Sequence, residues 1–195
     1  MLIDLNQHLS DLPKRRIVHV GGNVGEEGPL YRSWGSQVIW LEPRPGAAEA
    51  IRQRYPDDMV VQAAAGAGCG VVDMHLASNG QSSSLLAPHK HLDEHPEVRF
   101  SGVQQVAIVQ LDLIVTRADG LVADVQGYED RVLLGARQLL TSLSWVYLEV
   151  NRAELYRECA RIETLDELLA GFDRVVTHWE PGHDWGDALW VRSRT

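Results

Sequence analysis

Apolar and polar positions along the chain change rhythm in a regular order. Leu2, Leu5, Leu9 and Leu12 recur at roughly helical spacing, which predicts a short arm over residues 1–15 that covers one edge of a core. An apolar run with β-branched residues at 17–21 predicts the first strand. Glycines at 21, 22 and 25 then turn the chain, and Glu26 and Glu27 suit the first turn of a helix over about 26–33. The next apolar run predicts a strand at 37–42. Ala47, Ala50 and Ile51 share one side of a helix at 46–54, and Pro56 separates that helix from a third strand at 57–63.

Farther on, the glycines of 66–70 predict a turn, and 71–76 an extra strand lying against the sheet. From 77 to 102 the periodicity disappears into Asn79, Gly80 and three serines, then a mixture of prolines and histidines. A structureless connection of that length is uncommon in a compact domain unless it covers a site, so a mobile lid is expected. Order returns with β-rich runs at 103–113 and 120–127, a helix over 128–140 with Val132, Leu133 and Ala136 inward, and a buried strand at 145–150. Thr164 and Glu167 have the spacing of a capping box for a helix ending at Gly171. Strands at 174–179 and 188–192, joined by residues 180–187, complete the pattern as an antiparallel pair. Strands alternating with helices imply a mostly parallel sheet covered on both faces.

Composition narrows the function. The 195 residues suit one domain spanning 1–195. A formal charge of -9 argues against a nucleic-acid partner, because such binding depends on counterion release by a basic surface. Cys69 and Cys159 read as reduced thiols of a cytoplasmic protein. No apolar run approaches a membrane span, and residues 1–13 lack the apolar centre of a signal peptide, so neither membrane nor export is expected.

The chemistry gathers at predicted strand ends. Gly21, Gly22 and Gly25 allow close approach of backbone to a ligand, and Glu42 ends the second strand where a carboxylate takes ribose hydroxyls in nucleotide-binding α/β proteins. Together they point to an adenosine-containing ligand. Asp124 and Glu149 end two later strands, with Asn151 close behind. An NAD-dependent oxidoreductase is the rival enzyme reading. Asn23 and Glu26 stand where two of its glycines belong, and acids at the helix start disfavour a pyrophosphate. His75, His89, His91 and His95, with Asp93, match no closed zinc pattern, and no metal is expected.

Several stretches carry a family resemblance. Val18-His19-Val20-Gly21-Gly22-Asn23-Val24-Gly25, Leu41-Glu42-Pro43, Ala64-Ala65-Gly66, Gln81-Ser82-Ser83-Ser84-Leu85, Leu111-Asp112 and Asp124-Val125-Gln126-Gly127-Tyr128-Glu129 resemble the FkbM-type S-adenosylmethionine-dependent methyltransferases. The resemblance covers about 17–150 and implies a Rossmann-like methyltransferase fold, α/β, with a mostly parallel seven-stranded sheet and a C-terminal antiparallel hairpin. It implies S-adenosyl-L-methionine as cofactor and a hydroxyl on a small molecule or sugar as acceptor. Cofactor contacts are then expected from His19, Gly21, Gly22, Asn23, Gly25, Glu42, Pro43, Ala64 and Asp124. Asp124 is the first choice for removing or orienting the acceptor proton, with Glu149 and Asn151 second. His19 departs from the family, which usually has an acid at that position. A non-catalytic module that keeps the fold therefore remains an alternative, and a homo-oligomer stays open.

Overall fold

The computed structural model describes residues 1–193. Its main sheet has seven strands in the order β3-β2-β1-β7-β8-β10-β9. These are β1 (Arg16–Val20), β2 (Gln37–Leu41), β3 (Met59–Val61), β7 (Gly120–Ala123), β8 (Trp145–Asn151), β9 (Phe172–Trp179) and β10 (Trp185–Arg192). All neighbours pair in parallel except β10, which runs antiparallel to both β8 and β9. This is the mostly parallel seven-stranded sheet with a terminal hairpin that the sequence predicts. The chain travels outward from β1 through β2 to β3, then returns to the other side of β1 with β7. The order therefore reverses between β1 and β7, where a crevice opens beyond the strand ends.

Burial on both faces explains the apolar strands. All seven residues of β8 are buried. Along β1 the side chains alternate: Val18 and Val20 join Leu121, Val132 and Leu148 on one face, and Ile17 joins Tyr31, Trp40 and Trp145 on the other. The helices covering these faces are α1 (Leu5–His8), α2 (Gly28–Ser33), α3 (Pro45–Arg54), α5 (Glu129–Leu134), α6 (Arg137–Leu140) and α7 (Ile162–Leu168). A fourth in chain order, the short α4 (His91–Glu94), lies in the segment over the crevice. Among the described residues no helix is long and apolar enough to cross a membrane.

Several elements differ from their predicted form for identifiable reasons. The extra strand does not lie against the main sheet. Instead β5 (Gly70–Ala77) pairs antiparallel with β6 (Phe100–Val109), and β4 (Ala64–Ala65) joins them in a separate three-stranded sheet. The predicted third strand shortens to β3, with β4 beginning just beyond it, and the run at 103–113 ends in a single 3-10 turn, Leu111–Leu113. The helix expected at 128–140 breaks between α5 and α6. A Cβ at Gly135 would lie 2.0 Å from the Gly66 carbonyl oxygen, and Asp112 accepts from the N–H groups of Gln138 and Leu139, starting a new helix. The capping box does not form: α7 begins two residues before Thr164, with buried Ile162 in its first turn and no side-chain cap. Burial of an apolar residue sets that boundary, overriding the local signal. The hairpin connection shortens to 180–184 because Trp185, Gly186 and Asp187 pair with Asn151, Val150 and Glu149.

Candidate active site

The crevice holds a cavity of ≈ 400 Å³ reached from the carboxyl ends of β1, β2 and β7, a size suited to a small ligand. Gly21 has a φ of 80°, and a Cβ there would lie 1.8 Å from the carbonyl oxygen of Asp124. Only glycine lets the chain leave β1 so close to the tip of β7. Asn23, at a φ of 43°, donates its backbone N–H to Oε2 of Glu42 at 2.9 Å and its amide to Glu26 at 2.8 Å. Glu42 is buried, and its Oε1 accepts from the backbone N–H of Arg44 at 3.0 Å and from Nε of Arg44 at 2.9 Å. The guanidinium continues to Oδ1 of Asn23 at 2.5 Å.

These residues fit the adenosine part of the cofactor. A carboxylate takes about four hydrogen bonds, and three are used here. With the Arg44 side chain displaced, two acceptor places on Glu42 would be open to the two hydroxyls of a diol. The acids at the turn suit a ligand without phosphates. Glu27 precedes α2, and burial pushes its carboxyl above the ordinary value.

His19, where the family usually has an acid, is buried on β1. Its Nδ1 lies 2.9 Å from the hydroxyl of Tyr31, and its ring stacks on Trp40 with centroids 4.9 Å apart. Burial lowers its pKa to about 4, against a smaller opposing pull from Asp124, so the imidazole is neutral near pH 7.

The other end of the cavity is built from acids. Asp124 is exposed at the β7 tip, and its Oδ1 accepts from Nε2 of Gln126 at 2.8 Å. The same nitrogen lies 2.6 Å from Oε2 of Glu149, which is buried on β8. Gln126 holds a left-handed φ of 57°, an uncommon conformation for a residue with a Cβ. Its Oε1 lies 2.8 Å from the Tyr156 hydroxyl, which also reaches the Ser82 carbonyl at 3.0 Å. Across the β8–β10 ladder from Glu149 sits Asp187, which accepts from the Tyr147 hydroxyl and from the Leu2 backbone N–H.

Crowding of acids sets their protonation. Burial, then the charge of Asp124, pushes the Glu149 carboxyl well above the usual range and favours its protonated form. Burial likewise raises Asp187, opposed by the bond from Tyr147. Behind the wall, burial raises Glu129 to about 8, although its Oε1 accepts from the N–H groups of Val125 at 3.0 Å and Gly127 at 3.3 Å. Glu129 fixes the loop that carries Gln126.

The predicted site residues divide into two groups. His19, Gly21, Asn23, Glu42, Pro43, Ala64, Asp124 and Glu149 all line the cavity. Gly22 and Gly25 stand behind it, where a Cβ would meet the rings of Trp40 and Tyr55, each at 2.8 Å. Their small size lets those rings pack. Asn151 is fully buried and off the cavity wall. Sequence reasoning passed over Arg44, Gln126, Tyr147, Tyr156 and Asp187. Gln126 had a signal, since it follows Asp124 in the family-like run. Tyr156 had none, and Asp187 was hidden in a predicted connection.

Solved structures share this architecture over nearly the whole chain. Magnesium protoporphyrin IX methyltransferase from Synechocystis PCC 6803, crystallised with S-adenosylmethionine, aligns at a TM-score of 0.56 and 11% identity, covering 97% of this chain and 75% of that one. The N-methyltransferase NodS from Bradyrhizobium japonicum aligns at 0.53 and 11%, covering 97% and 92%. Fold and cavity define a Rossmann-like methyltransferase that uses S-adenosylmethionine. The methyltransferase FkbM domain matches residues 19–177, and the chain belongs to that family. Over 186 residues it is 30% identical to the 2-O-methyltransferase NoeI of Sinorhizobium fredii, an alignment spanning 86% of this chain and 76% of that protein.

Proposed function

We propose that this enzyme methylates a hydroxyl oxygen of a small, uncharged polyhydroxylated acceptor, such as a sugar, with Asp124 receiving the hydroxyl proton. The observation that carries the reading is the pairing of unlike acids on one cavity wall: exposed Asp124 beside buried Glu149, joined through one amide nitrogen of Gln126. Carboxyl groups placed in unlike surroundings, one exposed and one buried, can divide the roles of base and proton holder. Asp124 is exposed on the cavity wall beside the Glu149 carboxyl, so its side chain is open to an acceptor hydroxyl. Glu149, Asp187 and Asp124 line this end with acidic oxygens, which suits hydrogen bonding to a polyol and disfavours an anionic acceptor. The likeness to a 2-O-methyltransferase supports oxygen as the receiving atom.

Glu42 and Asn23 hold the adenosine end, with Gly21, Pro43 and Ala64 shaping the wall. The bound cofactor supplies the electrophilic methyl group. The protein's part is alignment of the acceptor, which can remove about 7 to 11 kcal/mol of a barrier, together with removal of its proton. Residues 77–102 serve as the acceptor lid. Their Ser84 donates to the Gln126 carbonyl at 2.8 Å, and Ser82 to Ser84 are buried. We place the enzyme in the cytoplasm, which free Cys69 and Cys159 support.

The test is incubation with methyl-deuterated adenosylmethionine and a panel of sugars, amines and phosphorylated sugars, read by mass spectrometry. Label gained by a neutral sugar and stable to acid as an ether supports the proposal. Label gained only by amines or anionic acceptors overturns it.

A further inference from the structure

Three side chains with metal-binding atoms meet where the roof of the cavity touches the C-terminal hairpin. Glu94, His95 and His183 bring their ligand atoms within 4.8 Å of one another. Glu94 ends α4, His95 follows it, and His183 lies in the connection 180–184 between β9 and β10. Nδ1 of His183 is 3.2 Å from Oε2 of Glu94, and the rings of His95 and His183 lie parallel with centroids 5.1 Å apart. The connection is braced for the purpose. Asp184 donates its N–H to both Glu94 oxygens at 3.2 and 3.3 Å, and Arg152 holds the His183 carbonyl at 2.7 Å and the Asp184 carboxylate at 2.8 Å.

The donor set selects the kind of ion. Two imidazoles and one carboxylate form a nitrogen-and-oxygen set of borderline softness, which suits zinc and its neighbours; magnesium and calcium favour all-oxygen sites. Bonds of about 2.0–2.2 Å in a tetrahedron set ligand atoms about 3.3–3.6 Å apart. Gathering atoms now within 4.8 Å takes movements on the order of 1 Å, within reach of half-buried side chains on a short helix and a turn. Next to His95, with centroids 4.8 Å apart, His91 has a buried Nδ1 without a hydrogen-bond partner among the described residues.

We propose that Glu94, His95 and His183 bind one zinc-class divalent ion that clips the 77–102 roof to the C-terminal hairpin. His95 also lines the cavity, so the clip stands at the rim of its acceptor end. Three protein ligands leave a fourth position for water. The ligand set spans 89 positions from Glu94 to His183, which is why no closed pattern is visible in the histidine-rich loop itself.

The test uses the full chain without an affinity tag, stripped with chelator and equilibrated with zinc, with bound metal measured by mass spectrometry and cobalt substitution followed by visible absorption. One zinc per chain, a tetrahedral cobalt spectrum, and affinity at least about tenfold weaker in both His95→Gln and His183→Gln are expected, with His89→Gln unchanged. Far-UV circular dichroism checks folding. Glu94→Gln, with the same weakening expected, replaces any variant that does not fold. No retained metal in the wild type, or equal affinity in the ligand variants, overturns the proposal whether or not methyl transfer is observed.

Discussion

Glu42, at one end of the cavity, is buried among donors, whereas Glu149, at the other, is buried among acids. The first receives N–H groups from Asn23 and Arg44, one of them on a guanidinium. The second faces Asp124, Asp187 and Glu129, and burial and those charges favour its protonated form. One residue type thus serves two purposes, set by its neighbours. An acid surrounded by donors is arranged to accept bonds from a bound ligand. One surrounded by acids is shifted towards its protonated form, and Asp124 beside it stays exposed to the cavity. The comparison predicts that the two ends fail separately under mutation.

The largest effect is expected at Asp124. Asp124→Asn should lower single-turnover methyl transfer at saturating cofactor by about 10²- to 10⁴-fold, the usual range for a lost general base. Affinity for S-adenosylhomocysteine should change by less than about threefold. A variant that binds poorly but transfers normally would move Asp124 to the cofactor end.

Glu42→Ala should do the reverse. Removing a carboxylate that holds ribose hydroxyls costs about 1.5–3 kcal/mol per bond, so calorimetry should show affinity at least about tenfold weaker. The rate at saturation should stay within about threefold.

Glu129 sharpens the comparison through pH. Its folded pKa of about 8 exceeds the ordinary 4.5, so the folded chain keeps a proton that the unfolded chain releases. Its contribution to stability is fully present below pH 4.5 and is lost as pH rises towards 8, at no more than about 1.4 kcal/mol per unit. Denaturant melts of Glu129→Gln should lack this decline. An unchanged slope would show that another group governs it.

Glu149→Gln should have the smallest effect. Glutamine imitates a protonated carboxyl, so the rate at pH 7 should fall by less than about fivefold, within the range of one neutral hydrogen bond. A loss of a hundredfold would show that Glu149 works as a charged group.

The Glu42 end of the cavity was legible as a strand-end cluster because it is nearly contiguous. A strand, a glycine turn and an acid ending the next strand occupy residues 17–42, and parallel pairing of β1 with β2 makes neighbours of their ends. Asp124 and Glu149 were legible as strand ends for the same reason. The rest of the acceptor end depends on antiparallel register. Asp187 meets Glu149 only because β10 inserts between β8 and β9, and Tyr156 reaches Gln126 across 30 positions of chain. Arg44 was invisible in another way, since nothing in sequence says that its guanidinium lies on the carboxylate two residues before it. The departure at His19 also becomes intelligible. Tyr31 and Trp40 enclose a neutral ring there, a setting costly for a charged acid.

The division of the cavity is tested most directly by a high-resolution map of crystals grown with S-adenosylhomocysteine. The account predicts ribose hydroxyls within hydrogen-bonding distance of the Glu42 carboxylate, the Arg44 side chain moved off Oε1, and the homocysteine sulfur directed towards Asp124. A ribose bound elsewhere, with Arg44 still closed on Glu42, would contradict it.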